Sequence, residues 1–125
     1  MSALRSVVLE HFRHPKNRGP LDRADASAEG ANPLCGDRVR VEVRAEHGVI
    51  AEARFTADAC ALCVASASLL TERVRGMRVS ETSDVDERWL FASLDGEPPA
   101  TRRKCALLPL DTLRRAVAHL SPAAQ

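Results

Sequence analysis

Three cysteines stand far apart in this chain, each at a turning point, and an aspartate follows the first by two residues. They are Cys35 and Asp37 in Asn-Pro-Leu-Cys-Gly-Asp, Cys60 in Ala-Asp-Ala-Cys-Ala-Leu-Cys, and Cys105 in Arg-Arg-Lys-Cys-Ala-Leu-Leu-Pro. Thiolates and carboxylates are the ligands of zinc and iron–sulfur chemistry. Separations of 25 and 45 residues are too wide for a local knuckle. Such ligands meet only if the whole chain folds into one scaffold that brings three corners together. The bland alternative, unrelated buried thiols and a turn carboxylate, stands at even odds on these residues alone.

The chain is long enough for that scaffold. Its 125 residues make one domain, 1–125, and not two. Hydrophobic residues are 45% and charged residues 28%, the balance of a soluble globular protein. A net charge of +1 gives no basic field for nucleic acid, and 3% aromatics without tyrosine give no base-stacking platform. No apolar run approaches the roughly 20 residues that span a bilayer. The segment Met1–Arg5 has no signal-peptide core. The expected compartment is a reducing cytoplasm, where four cysteines serve as ligands or reactive thiols rather than disulfides.

Residues Leu4, Val7, Val8, His11 and Phe12 share one face at helical spacing, and Pro15 ends that helix. Residues 14–20 form a breaker, and 21–33 hold at most one short edge strand and a loop. Val39, Val41 and Val43 alternate with charged residues as a half-buried strand. Glu46-His47-Gly48 turns the chain, and Ala51, Ala53, Phe55 and Ala57 mark the returning strand. From Cys60 to Val74 small and apolar residues run almost without break, as in a helix packed closely on a sheet, with Gly76 as its C-cap. Ser83-Asp84-Val85-Asp86 resembles a capping box before Trp89 and Leu90, and 95–99 is a loop. Leu110, Leu113, Val117 and Leu120 predict a closing helix. Pro109 fits that helix only in its first turn, so Cys105 should lie just ahead of it. The layout is α+β: a small antiparallel sheet of about three strands packed against several α-helices. Cys60 and Cys105 then sit at helix starts, where thiolate is favoured.

Three cysteines and one aspartate make a four-coordinate set. Structural zinc sites are closed by thiolates or imidazoles. A carboxylate is a harder and more exchangeable ligand, so this set looks built to release its contents. A thiolate near Arg102, Arg103 and Lys104 could also take sulfur as a persulfide.

The chain resembles the U-type iron–sulfur cluster assembly scaffolds, the family of IscU, SufU and the N-terminal domain of NifU. The matching text is Glu-His-Phe-Arg-His-Pro-Lys-Asn-Arg-Gly at 10–19, Asn-Pro-Leu-Cys-Gly-Asp at 32–37, Cys60 with Ala-Ser-Ala-Ser-Leu-Leu-Thr-Glu at 65–72, and Arg-Arg-Lys-Cys-Ala-Leu-Leu at 102–108. The resemblance implies a three-stranded antiparallel sheet with helices. It implies a near-surface site of Cys35, Asp37, Cys60 and Cys105 that holds iron, a transient [2Fe–2S] cluster or Zn2+. It further implies a carrier rather than an enzyme, with two kinds of partner: a PLP-dependent cysteine desulfurase that delivers sulfur, and apo iron–sulfur proteins that receive the cluster. Cys35 and Cys105 are the candidate persulfide acceptors, and the sequence does not choose between them. No nucleic acid or membrane partner is expected.

The chain also departs from the pattern. IscU members carry His before the third cysteine, where this chain has Lys104, as SufU-like members do. The insertion that SufU-like members carry between the second and third cysteines is absent. The Leu-Pro-Pro-Val-Lys chaperone motif is absent too, and Pro98-Pro99 does not restore it, which argues against an Hsp70-type chaperone. Ala59 stands where the family has glycine. The branch, IscU or SufU, stays open.

Other readings attach to single residues. Cys63 forms Cys-x-x-Cys with Cys60, the spacing of redox dithiols, yet packing as a small helix residue is the favoured role. Lys104 tunes Cys105 or pairs with Asp37 in the empty site. Arg102 and Arg103 are equally a docking patch for the desulfurase or solvated charge. His11 packs, His14 caps, His47 turns and His119 ends the last helix. Beside the scaffold stand three alternatives: a SufU-like zinc-dependent sulfur acceptor, a zinc-stabilised interaction module, and a thiol oxidoreductase using Cys60 and Cys63.

Overall fold

The computed structural model describes residues 6–121. The chain begins with α1 (Ser6–Arg13), forms β1 (Ala26–Asn32), β2 (Asp37–Glu46) and β3 (Val49–Asp58), and continues into α2 (Ala61–Val74). A short 3-10 helix at Val79–Asp84, α3 (Glu87–Ser93), a 3-10 turn at Ala100–Arg102 and α4 (Arg103–Ala118) complete it. The three strands pair antiparallel in the order β1-β2-β3. Among the described residues no helix is long and apolar enough to cross a membrane.

The alternation read in the sequence sets the buried side of the sheet. Val39, Val41, Val43 and Ala45 of β2 are buried, with Ala28 of β1 and Ala53 and Phe55 of β3. The returning strand differs from simple alternation at its start. Pairing passes from Arg44–Glu52 to Ala45–Ile50, so Ala51 is an extra residue and Ile50, not Ala51, is buried. His47 and Gly48 make the two-residue turn between the strands, at φ 53° and 78°. Both ends of β3 find partners outside the sheet. Asn17 and Gly19 bond to Phe55, while Gly76 and Met77 bond to Ile50, so this edge is not left open.

Helices α2 and α4 pack on the sheet and on each other, and α1 packs on α2. In α2, Ala65, Ser66, Ala67 and Ser68 are all buried, which lets neighbouring backbones approach. Gly30 does the same for α4 on β1: a Cβ there would meet Thr112 Oγ1 at 2.2 Å and Leu108 Cδ1 at 3.0 Å.

Four details correct the sequence reading. On α1, Val8 is buried but Phe12 is 41% exposed, because the helix turns only a narrow side to α2; Leu4 lies outside the described residues. Gly76 takes φ 86° after α2, yet its N–H bonds Ile50 O rather than the helix. Asp86 caps α3 by itself, accepting from Trp89 N at 2.9 Å, while Ser83 belongs to the preceding 3-10 helix. Pro109 lies inside α4, not in its first turn. Having no N–H, it leaves the carbonyl of Cys105 without its helical donor.

Candidate metal and sulfur site

The hairpin loop between β1 and β2 carries the first two expected site residues. Asn32 Oδ1 accepts from Leu34 N at 3.1 Å, and Asn32 O accepts from Cys35 N and Gly36 N. Gly36 closes the loop at φ 78°, a left-handed conformation that side chains resist. The loop pushes Cys35 outward, exposed, with Leu34 beside it 86% exposed. Asp37 then opens β2 and points inward, only 4% exposed.

Cys105 comes from the opposite side. It is the third residue of α4, inside the helix rather than ahead of it, and is buried. Its Sγ stands 3.6 Å from Cys35 Sγ. The Cys35 and Cys105 sulfurs and an Asp37 carboxylate oxygen all lie within 4.8 Å of one another. The chain separates Cys35 and Cys105 by 70 positions, and only the packing of α4 on β1 and β2 brings them together.

Cys60 is the N-cap of α2, with φ −68° and ψ 165°. Its sulfur is not one of the three clustered ligand atoms, but its backbone N–H donates to Asp37 Oδ1 at 3.0 Å. Asp37 Oδ2 is buried and has no hydrogen-bond partner. A bare, buried carboxylate oxygen beside two thiols is costly as it stands. A divalent cation would satisfy it, so the donor set fits a metal.

The electrostatics of Cys105 run against the expected helix-start effect. Burial pushes its thiol up to about 12, helped by the hydrogen bond with Cys35 and by the charges of Cys60, Asp37 and Cys35. Desolvation and like charge therefore outweigh the start of α4 in the metal-free protein. Burial likewise pushes the Cys63 thiol up, followed by the charges of Asp37, Cys60, Cys105 and Cys35.

The cations around Cys105 divide. Arg103 is held by Glu87 and by Glu97, and its guanidinium lies 5.0 Å from the Phe91 ring centre. It is a clamp from α4 to α3 and the preceding loop, not solvated charge. Nothing local in the sequence announces this, since Glu87 and Glu97 belong to other elements. Arg102 and Lys104 are exposed. Among the described residues no ion pair joins Lys104 to Asp37, because the lysine faces solvent.

The remaining candidates take structural places. His11 Nδ1 and Ser68 Oγ are 2.7 Å apart, tying α1 to α2. His14 is exposed after α1. His119 caps α4, with Nδ1 3.0 Å from Ser27 O.

Comparison with known proteins gives the family and the fold. Residues 3–123 match the family model described as NifU-like N terminal domain. The chain is 35% identical over 112 residues to the iron–sulfur cluster assembly scaffold protein IscU of Aquifex aeolicus, covering 88% of this chain and 71% of that one. It is 31% identical over 116 residues to the protein of the same name from Haemophilus influenzae, covering 89% and 90%. Two solved structures share the fold. The SufU protein of Fervidobacterium islandicum AW-1 superposes with TM-score 0.81 at 24% identity, over 92% of this chain and 96% of that one. The N-terminal part of a NifU-like protein from Brucella abortus does so with TM-score 0.76 at 23% identity, over 93% and 92%. The chain belongs to the NifU-like N-terminal domain family, that of the IscU-type iron–sulfur cluster assembly scaffolds.

Proposed function

We propose that this protein receives sulfur from a PLP-dependent cysteine desulfurase, builds a [2Fe–2S] cluster on Cys35, Asp37, Cys60 and Cys105 from that sulfur, ferrous iron and electrons of an external reductant that take the persulfide sulfur to sulfide, and passes it to apo iron–sulfur proteins. It acts as a carrier in a reducing cytoplasm and turns over no substrate of its own. The observation that supports this most is the approach of Cys35 Sγ, Cys105 Sγ and an Asp37 oxygen to within 4.8 Å beside a bare carboxylate oxygen. Cys60 is the fourth ligand, held beside Asp37 by its own N–H.

Cys35 is the first sulfur acceptor. It is exposed at the tip of a hairpin loop, while Cys105 is buried and its thiol is held protonated. In the transfer, the Cys35 thiolate attacks the outer sulfur of a desulfurase persulfide. A Cys35 persulfide forms, the old S–S bond breaks, and the desulfurase cysteine leaves as thiolate. The neighbouring Cys105, 3.6 Å away, is placed to take the sulfur next.

A second reading is a zinc-dependent sulfur acceptor of SufU type, which holds zinc at the same ligands and builds no cluster. Lys104 favours it: it is exposed, stands where IscU members carry a histidine, and when protonated has no lone pair for a metal. Anaerobic incubation with desulfurase, cysteine, ferrous iron and a thiol reductant separates the two. A visible [2Fe–2S] chromophore on the re-isolated protein, with matching iron and sulfide, supports the scaffold. Retained zinc with faster sulfide release and no chromophore supports the sulfur acceptor and refutes the scaffold.

A further inference from the structure

Two sulfurs face each other at the centre of the site. Cys35 Sγ and Cys105 Sγ are 3.6 Å apart, in contact and joined by a hydrogen bond, and both cysteines are free. A disulfide holds its sulfurs at about 2.05 Å, so this pair is about 1.5 Å short of a covalent bond. The loop that carries Cys35 has room to close the gap. Residues 33–36 are all exposed, and a Cβ on Gly36 would meet nothing within 4 Å. Cys105 is buried in α4, so the approach is a movement of the loop towards the helix. A sulfur accepted by Cys35 is bonded to Sγ. The inner sulfur of that persulfide is therefore the very atom that Cys105 already touches.

We propose that Cys35 and Cys105 form a dithiol that itself reduces the accepted sulfur, closing a Cys35–Cys105 disulfide and expelling sulfide. This rests on the reading of Cys35 as the sulfur acceptor. In the step Cys105 Sγ attacks Cys35 Sγ of the persulfide. The Sγ–Sγ bond forms, and the bond from Cys35 Sγ to the outer sulfur breaks. The thiol proton of Cys105 goes to the departing sulfur, so a persulfide anion and a thiol become a disulfide and a hydrosulfide anion. The departing sulfur gains two electrons, and the pair of thiols has lost two. Hydrosulfide is a weaker base than a cysteine thiolate and so leaves readily. Passing the sulfur between the two cysteines leaves it at the persulfide level; only attack on the inner sulfur delivers sulfide. The same disulfide forms when the sulfur has first moved to Cys105 and Cys35 attacks. An external dithiol then reopens the disulfide by exchange. The reductant thus acts on the Cys35–Cys105 bond rather than on the persulfide.

The test is an anaerobic single turnover on the reduced, metal-free full chain. The sulfur donor is a cysteine desulfurase preloaded with persulfide and freed of cysteine by gel filtration, so no small thiol is present. We expect about one sulfide released for each sulfur the chain accepts. The chain should become lighter by two hydrogens, and the non-reduced peptide map after alkylation should join Cys35 to Cys105. Sulfur that reaches Cys105→Ser should stay on Cys35 as persulfide, lowering the sulfide released per accepted sulfur about tenfold or more. An unsubstituted chain that keeps its persulfide and forms no disulfide overturns the proposal while leaving sulfur acceptance intact. Equal release per accepted sulfur from Cys105→Ser overturns it too, as does a disulfide that joins Cys35 to any other cysteine. A chain that takes up no sulfur at all overturns both this step and the sulfur-acceptor reading. The peptide map of the unsubstituted chain decides the matter without a variant, and far-UV circular dichroism confirms that Cys105→Ser is folded.

Discussion

Asp37 Oδ1 accepts the backbone N–H of Cys60 at 3.0 Å, and so ties the start of β2 to the start of α2. One carboxylate thereby has two duties. It satisfies a helix-start donor, the N–H of the N-cap Cys60 itself, and it keeps a second oxygen, buried and bare, on a carboxylate that stands within 4.8 Å of two thiols.

Separating those duties gives the first prediction. Asp37→Ala removes the acceptor and should cost about 1 kcal/mol in the metal-free protein, read as a lower urea midpoint. Asp37→Asn keeps the acceptor and should stay closer to the parent. Both remove the exchangeable carboxylate, so both should hold a cluster longer and pass it to an apo-ferredoxin more slowly. Transfer rates equal to the parent's in both variants would sink the carboxylate's role in release.

Gly30 makes the site depend on a strand that contributes no ligand. A Cβ at this position would meet Thr112 Oγ1 at 2.2 Å. Thr112 is fully buried on α4, the helix that carries Cys105. Gly30→Ala must therefore displace the buried Thr112 side chain, α4 or the strand, at about 1–3 kcal/mol. Zinc affinity should fall with it, because the Cys35–Cys105 approach depends on how α4 sits. A stable Gly30→Ala protein with parental zinc affinity would show that α4 is not fixed by this contact.

The sheet was legible because period-two alternation at Val39, Val41 and Val43 depends on nothing beyond the strand itself. The final helix was legible from Leu110 and Leu113 but its start was not. Pro109 suggested a first turn at that point, whereas packing against β1 and β2 sustains the helix through a proline. Cys35, Asp37 and Cys105 were legible as types and turning points, and the resemblance assembled them into a set. Their protonation was not legible. A helix start argues for thiolate, and only the fold tells that Cys105 is buried against Cys35 and near Asp37. The Arg103 clamp was hidden for the same reason, since its partners lie on α3 and in the loop before α4.

That clamp can be separated from the charges beside it. Arg103→Ala removes two carboxylate contacts and the contact with the Phe91 ring. Because the guanidinium is partly exposed, the loss should be modest, about 1 kcal/mol, and smaller at high salt. Arg102→Ala should leave stability unchanged, since Arg102 is exposed. If Arg102 docks the desulfurase, that variant should instead slow persulfide formation on Cys35, with the defect growing as salt is lowered towards the regime where exposed charges act. Equal urea midpoints for Arg103→Ala and the parent would remove the clamp.

The raised thiol of Cys105 fixes the direction of a pH effect. Its folded value of about 12 lies well above that of an ordinary thiol. The folded state thus holds this proton more tightly than the unfolded chain does, and the linked stability is fully present below about pH 9. It is lost progressively as pH rises from there towards 12, and the buried thiol of Cys63 acts in the same sense. The metal-free protein should therefore lose urea resistance between pH 9 and 10.5, and Cys105→Ala should lose less over the same interval. Zinc reverses the sense below pH 9. Binding must expel thiol protons, so apparent zinc affinity should rise with pH, and each mole bound should release more than one mole of protons into weakly buffered solution. Calorimetry in buffers of different ionisation enthalpy measures that release. Zinc binding without proton release would mean that the thiols are already ionised in the empty site, contrary to the burial of Cys105 beside Cys35.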